Sequence, residues 1–457
     1  MKQIGRTFFN FFAVTVLLIS VNGCDGWWLQ KAAYGQMANG EVLKLLVLQQ
    51  PLTYRRLKLI ESGFEYELLE QFAADSGFRL QVQVLKSEKD LLKRLAENKG
   101  DLAAARFSDQ DTNTSQFMRS PIYDEEKTAL VCRSDIKVTF TADNQLDKDN
   151  KWKLLIDPKA PESRWSSQFK KQAPDMKISK RSGASSLEIL KSLKQGQADC
   201  TLMDRLEAHF HLRVFPNLKV IKDISPSQSY FFLISSARPE LEEVMRRWMT
   251  RNAHKYLISQ AKARAKGKAC DLSVWDLRHF AAAREQLLPK YSPLIRKHSS
   301  EFGLPWQLMA AVAYQESRWN PEAQSHTGVK GFMQLTQETA EHLGVEDRTD
   351  PSQSIWGGIK YIKILLDRQP QWINMKDRLA LALATYNVGP AHMWDAQKLA
   401  QKLGKNPYLW KDLQTVLPLL ADESYLPQLK YGPARGTEPV IYVQRVFSYL
   451  DLMSVQI

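Results

Sequence analysis

The sequence predicts an α/β domain built on mainly parallel sheet, followed by a mainly helical domain. Two observations carry this. Between Val42 and Ala105, short apolar runs with strand character alternate with segments of helical spacing. From Phe280 onward, helical spacing dominates. Residues 259–268, rich in Lys, Ala and Gly, read as a solvated connector between the two. At 457 residues the chain is too long for one ordinary domain. Its 44% hydrophobic and 25% charged residues are globular values, which exclude wholesale disorder.

Taken in order, Val42–Leu48 is a compact apolar run and residues 65–74 have helical spacing. Residues 80–85 alternate like a strand, 89–98 are helical with Gly100 as a stop, and 101–105 form the next strand. In the second half, Pro305 suits a first helical position, and Leu308, Val312 and residues 314–316 recur on one helical face. Asn320-Pro321 forces a stop. Glu316 therefore falls in the last turn, on an apolar stripe. Such surroundings favour the neutral acid and raise its pKa, as a general acid working near neutral pH requires. A surface Glu paired with Arg318 or Lys330 is the plainer alternative. Beyond it, residues 337–343, 354–366 and 379–386 are helical, and the last helix spans residues 442–455.

Three ordered motifs accompany Glu316. They are Glu316-Ser317, then Ser325-His326-Thr327-Gly328-Val329-Lys330-Gly331-Phe332-Met333-Gln334, then Thr385-Tyr386-Asn387-Val388-Gly389. With a late Tyr442-Val443, they resemble the lytic transglycosylase family, which implies a lysozyme-like catalytic domain. The match departs from the family at Val329, Phe332 and Thr385, all mild changes. The resemblance implies cleavage of peptidoglycan between N-acetylmuramic acid and N-acetylglucosamine, without water, to a 1,6-anhydro product. It implies Glu316 as the catalytic acid and then base. Ser325 would hold the carboxyl or the substrate's N-acetyl group, and Gln334 and the Met333 backbone would contact sugar. Tyr386 would bond near Glu316 or the sugar ring, and Asn387 would fix the turn. Met333 and Tyr442 stay open between substrate contact and core packing. Glycosidases of the two-carboxylate kind need a second acid, and no motif spacing sets one beside Glu316; Glu322, Asp347 and Asp350 read as surface or capping groups.

The first half resembles family 3 of the bacterial solute-binding proteins through Gly63-Phe64-Glu65-Tyr66-Glu67-Leu68, Lys99–Ala104, Ser120-Pro121-Ile122-Tyr123 and Gly196–Asp204. This implies a two-lobed, periplasmic-binding-protein-like domain with a ligand, such as a small wall-derived molecule, between the lobes. Asp204 matches the position that would hold an amino group; it could equally cap the helix Arg205–Leu212. The family's carboxylate-clamping Arg is absent, since Asp111-Thr112-Asn113-Thr114 stands in its place.

Lys2 and Arg6 precede an apolar run, residues 8–21, of 14 residues, against the roughly 20 that a membrane-spanning helix needs. The run ends in Gly23-Cys24, which resembles a lipoprotein processing site with Cys24 lipidated; an ordinary signal peptide or an uncleaved anchor is the alternative. The expected organisation is thus a signal segment, 1–24, a non-catalytic domain, 25–267, and a catalytic domain, 268–457. Placement is on the periplasmic side of the envelope, attached to the outer membrane, or to the inner membrane if Asp25 acts as a retention signal. The net charge of +13 implies an anionic partner. Dispersed Lys and Arg and no recognition motif speak against nucleic acid. Wall polymer or a membrane surface fits better. No cofactor or metal is implied. Cys132 and Cys200 sit in apolar contexts and could be buried thiols. Two other readings remain: a lysozyme-type hydrolase, and a solute receptor with a wall-docking domain.

Overall fold

The computed structural model describes residues 40–109, 111, 114–143, 145–265, 272–325 and 328–454. The strand Val42–Leu48 is apolar except at the exposed Lys44 near its start, because both its faces are covered beyond that point. Leu43, Leu45 and Val47 enter one core, while Leu46 and Leu48 face another containing Leu91 and Leu95 of the helix Glu88–Ala96. Around it lies a five-stranded sheet in the order Arg79–Leu85, Val42–Leu48, Leu102–Ala104, Leu233–Ile234, Met118–Arg119. A second five-stranded sheet has the order Lys177–Lys180, Lys153–Ile156, Cys200–Asp204, Thr128–Arg133, Leu218–Asp223.

Each sheet begins with three parallel strands, as expected, but neither stays parallel. Leu233–Ile234 runs antiparallel to Leu102–Ala104, and Thr128–Arg133 runs antiparallel to both its neighbours. The cause is connectivity. Both of these strands follow directly from a two-stranded antiparallel ribbon, Asp124–Glu126 with Gln228–Tyr230, which carries the chain between the lobes. A strand that arrives without a helical crossover is not obliged to run parallel.

Cys132 and Cys200 face each other across paired strands of the second lobe and form a disulfide. It staples the strand that enters this lobe to the strand that ends at Asp204. Cys24, Cys270, the signal segment and the expected boundary at 267/268 all lie outside the described residues.

The second half is helical. Its centre is the helix Trp306–Ser317, whose residues from Leu308 to Tyr314 are all buried. A helix apolar on every face has to be surrounded. Here the helices Leu288–Glu301 and Thr437–Ser454 pack on it, and Met375–Val388 packs on the latter. The helical half also touches both lobes. Arg55 pairs with Asp451 at 2.9 Å, Lys376 with Glu67 at 3.7 Å, and Lys194 of the second lobe with Glu285. No helix among the described residues is long and apolar enough to cross a membrane.

A cross-link between residues 68 positions apart limits the unfolded chain, which is worth about 2–4 kcal/mol. Replacing Cys132 and Cys200 together by Ser should lower the urea midpoint of the first unfolding transition, followed by fluorescence. The helical half should keep its own transition unchanged.

Candidate active site

The helix that carries Glu316 starts after Pro305, which takes an extended conformation as the cap rather than the first helical position. Its end comes earlier than Asn320-Pro321 would impose. Arg318 and Trp319 both adopt left-handed backbone, with φ of 54° and 61°, so the helix stops at Ser317. Two such non-glycine residues in succession cost energy unless the surroundings hold them. Trp319 is fully buried, its indole N–H donates to the Ala310 carbonyl at 2.9 Å, and its ring packs on Phe280 and Tyr314. The Arg318 guanidinium lies 4.8 Å from the Trp275 ring centre. Packing, not the proline, ends the helix.

Glu316 is half-buried at this last turn. Loss of water pushes its carboxyl up to about 8, against a partial pull downward from its hydrogen bond with Tyr442. The Tyr442 phenol donates to Glu316 Oε1 from the closing helix Thr437–Ser454, and the residue is 4% exposed. That contact resolves the position left open in the sequence: Tyr442 is both buried and at the acid. Among the described residues no second carboxylate and no cation shifts Glu316. The Tyr442 and Tyr386 hydroxyls are themselves pushed well above the usual phenol range, first by burial and then by Glu316. Both therefore stay protonated and remain donors.

The remaining motif residues build a wall beside the carboxyl. The Ser317 hydroxyl donates to the Phe332 carbonyl at 2.8 Å. Tyr386, near the end of the helix Met375–Val388, donates to the Met333 carbonyl at 2.7 Å, and the Met333 N–H donates to Ser354 Oγ at 3.2 Å. Gly331 has φ +83°, and a Cβ there would sit 1.7 Å from the Arg348 carbonyl oxygen, so only glycine closes this turn. Arg348 in turn donates to the carbonyls of Gly328 and Leu335, each at 3.0 Å.

Three expected substrate contacts are engaged inside the protein. Gln334, at φ 50°, turns its side-chain amide into the loop and donates to the Ala323 and Gly331 carbonyls, each at 2.8 Å. The Met333 side chain is buried and both its backbone groups already have protein partners. Tyr386 reaches Glu316 through space but bonds to backbone. Ser325 is half-buried, with its N–H on the Val329 carbonyl at 3.1 Å, and Asn387 is exposed. A clamp that sequence reasoning missed is Arg445. It donates to Gln315 Oε1 at 3.1 Å and to Asp276 Oδ1 at 2.9 Å, fixing the closing helix beside Glu316. The Ser273-x-x-Asp276 capping box marked the anchoring helix but gave no sign of this partner.

Asp204, the candidate in the first domain, is occupied from within. It caps the helix Arg205–Leu212 by accepting the Glu207 N–H at 2.9 Å, and it also accepts from Arg106 at 3.0 Å and Tyr230 at 2.7 Å. Arg106 bridges Asp204 to Asp124 of the inter-lobe ribbon, 2.8 Å away, and lies 3.7 Å over the Tyr230 ring. Nearby Glu162 is pushed up to about 8 by burial and by Asp204. Among the described residues no group of three His, Cys, Asp or Glu side chains comes together as a metal site.

Residues 293–409 match the family described as the transglycosylase SLT domain, and residues 45–210 match bacterial extracellular solute-binding proteins, family 3. Over 88% of its length the chain is 33% identical to the membrane-bound lytic murein transglycosylase F of Haemophilus influenzae strain PittGG, 83% of which is covered. It is 32% identical to membrane-bound lytic murein transglycosylase F 2 of Alkalilimnicola ehrlichii, over 98% and 99%. With the membrane-bound lytic murein transglycosylase F of Maricaulis maris the identity is 35%, over 86% of each.

The Glu316 carboxyl has a testable thermodynamic signature. Its pKa rises on folding from 4.5 to about 8. Between those values the folded chain holds a proton that the unfolded chain has released, so stability falls as pH rises. Glu316→Gln cannot ionise and lacks this slope. The two proteins should melt together at pH 4.5, and by pH 8 the Gln variant should be the more stable by on the order of 2 kcal/mol, since partial water access moderates the effect. Calorimetry across that range reads the difference. Tyr386→Phe should cost about 1 kcal/mol by orphaning the Met333 carbonyl.

Proposed function

We infer the chemistry from one premise: the chain belongs to the membrane-bound lytic murein transglycosylase F family. It is a lyase acting on peptidoglycan, associated with the cell envelope. The observation that carries the detailed reading is the isolation of Glu316, a neutral carboxyl with a phenol beside it and no second acid or cation acting on it among the described residues.

In this reading Glu316 delivers its proton to the glycosidic oxygen between N-acetylmuramic acid and N-acetylglucosamine as the C1–O bond breaks. The carboxylate left behind takes the proton of the muramoyl 6-hydroxyl, whose oxygen bonds to C1. One C–O bond is broken and one formed, the proton is returned, and no water enters. Hydrolysis would need a second carboxylate to activate water or to act as nucleophile. Tyr442 aims the acid and, once it is ionised, donates to the carboxylate. Tyr386, Gln334, Ser325 and the Met333 backbone act as positioning groups for the loop that walls the cleft, with Asn387 at its rim.

We assign the first domain to positioning or sensing at the wall. Because Arg106 already satisfies Asp204, a free amino acid finds no open carboxylate there. We place the chain on the periplasmic side of the envelope through a lipid on Cys24, at the outer membrane as the family resemblance implies, or at the inner membrane if Asp25 acts as a retention signal.

Mass spectrometry of sugars released from purified peptidoglycan tests the reading. Products lighter by one water than hydrolysed muropeptides are expected, and they should vanish with Glu316→Gln. Hydrated reducing ends would make the enzyme a hydrolase. The pH dependence follows from the same acid. Since Glu316 acts while protonated, kcat/KM should fall as pH rises through about 8. Tyr442→Phe removes the hydrogen bond that lowers the pKa of Glu316, so its alkaline limb should move to higher pH while the maximal rate drops. A limb that stays in place would take Tyr442 out of contact with the acid.

A further inference from the structure

On the helix Pro390–Lys402 and the loop ahead of the closing helix, the helical half keeps a pair of large aromatic side chains in water. Trp394 is 41% exposed and Tyr431 is 47% exposed, and their rings meet edge to face with centres 5.8 Å apart. Two lysines flank them. Lys430 Nζ lies 5.5 Å from the Trp394 ring centre and 5.0 Å from that of Tyr431, and Lys398 Nζ lies 5.7 Å from Trp394. Isolated exposed aromatics need no explanation, but a contiguous set does.

The pair is held in place by design of the backbone. Asp395, next to Trp394 on the helix Pro390–Lys402, is 2% exposed. Its carboxylate accepts the Lys430 N–H at 2.9 Å and the Tyr431 N–H at 2.8 Å. Burying a carboxylate is costly unless its hydrogen bonds are made. Here both oxygens serve to fix the loop that presents Tyr431, and Gly432 at φ +79° turns the chain away directly afterwards. The two supporting segments are continuous with the active site. The helix bearing Trp394 begins three residues after Asn387, and Tyr431 lies six residues ahead of the closing helix that carries Tyr442.

We propose that Trp394, Tyr431, Lys398 and Lys430 form a second peptidoglycan-binding platform, outside the catalytic cleft, that holds the glycan strand while Glu316 acts on it. This rests on peptidoglycan being the substrate. A pyranose ring offers an apolar C–H face that stacks on an aromatic ring, as in interface hot spots built on Trp and Tyr. The carboxylates of the strand's stem peptides answer the two ammonium groups, and a net charge of +13 draws an anionic polymer toward the surface. A glycan without carboxylates would use the aromatics alone, so the lysines favour a carboxylate-bearing polymer over a neutral one.

The test uses the full chain. In a Glu316→Gln background, which cannot cleave, co-sedimentation with insoluble sacculi should weaken about tenfold in Trp394→Ala with Tyr431→Ala, a loss of about 1.4 kcal/mol. Lys398→Glu with Lys430→Glu should weaken it too, and should flatten its salt dependence. With Glu316 restored, the aromatic double variant should cleave a soluble muramoyl tetrasaccharide with unchanged kcat/KM and digest sacculi with raised KM. Unchanged sedimentation would overturn the platform. So would an equal loss on the tetrasaccharide, which would place Trp394 in the cleft, or a loss confined to vesicles of anionic phospholipid. If the wild type releases only hydrated ends, the lyase reading fails while the sedimentation result stands independently.

Discussion

The site depends on keeping one carboxyl uncharged at neutral pH. Removing water is enough to do that only if no cation replaces it, because a nearby Lys or Arg would favour the ionised form. The protein meets both conditions with an apolar helix, two phenols and backbone groups. Phenols suit the task because they donate hydrogen bonds without bringing charge. Each comes from a different helix, and Tyr442 lies 126 residues from Glu316. The pocket is therefore complete only when the closing helix has packed, and Arg445 fixes that packing by holding Gln315 and Asp276 together. A neutral carboxyl formed in this way is a product of the tertiary fold, not of its own helix.

In the first domain two carboxylates at the lobe junction have a cation beside them. Asp124 and Asp204 stay deep between the lobes but are met by Arg106, and Lys262 of the helix Asn252–Ala265 pairs with Asp124 and Glu126. The inter-lobe ribbon is thus tied on one side to the cleft and on the other to the segment that leads toward the catalytic half. Removing Arg106 would take the paired cation from buried Asp204, which costs more than the intact pair contributes. That makes the cleft a structural joint as well as the place where such a fold would hold a ligand. It also explains why Asp204, read from sequence as either a ligand group or a helix cap, serves as a cap.

The sequence carried the architecture because apolar periodicity and glycine placement are local signals. The covered strand Val42–Leu48 and the helix around Leu308 and Val312 were both legible from residue order. The upward shift of the Glu316 carboxyl was legible too, since a carboxylate on an apolar stripe is conspicuous. What stayed hidden depends on partners far along the chain. Antiparallel entry of Thr128–Arg133, the pairing of Cys132 with Cys200, and the inward turn of Gln334 are each decided by where another segment lies. The early end of the catalytic helix belongs with them, because no propensity scale places Arg318 and Trp319 in left-handed backbone; a buried indole does.

In the lyase reading a single carboxyl serves two steps. An acid with pKa near 4.5 would be ionised before it could donate at pH 7, and one far above neutrality would leave too strong a base to form readily. A value of about 8 lies close to neutrality, so proton delivery and proton recovery are both within reach. Burial alone would carry the value higher; the Tyr442 hydrogen bond brings it back. In the lyase reading the same bond matters more after the first step, when Glu316 is a carboxylate in a poorly hydrated cleft and the phenol becomes a donor to charge. The isolation that makes Glu316 an acid would otherwise make its ionised form too costly to reach. Tyr442 is the residue through which the site tolerates both states.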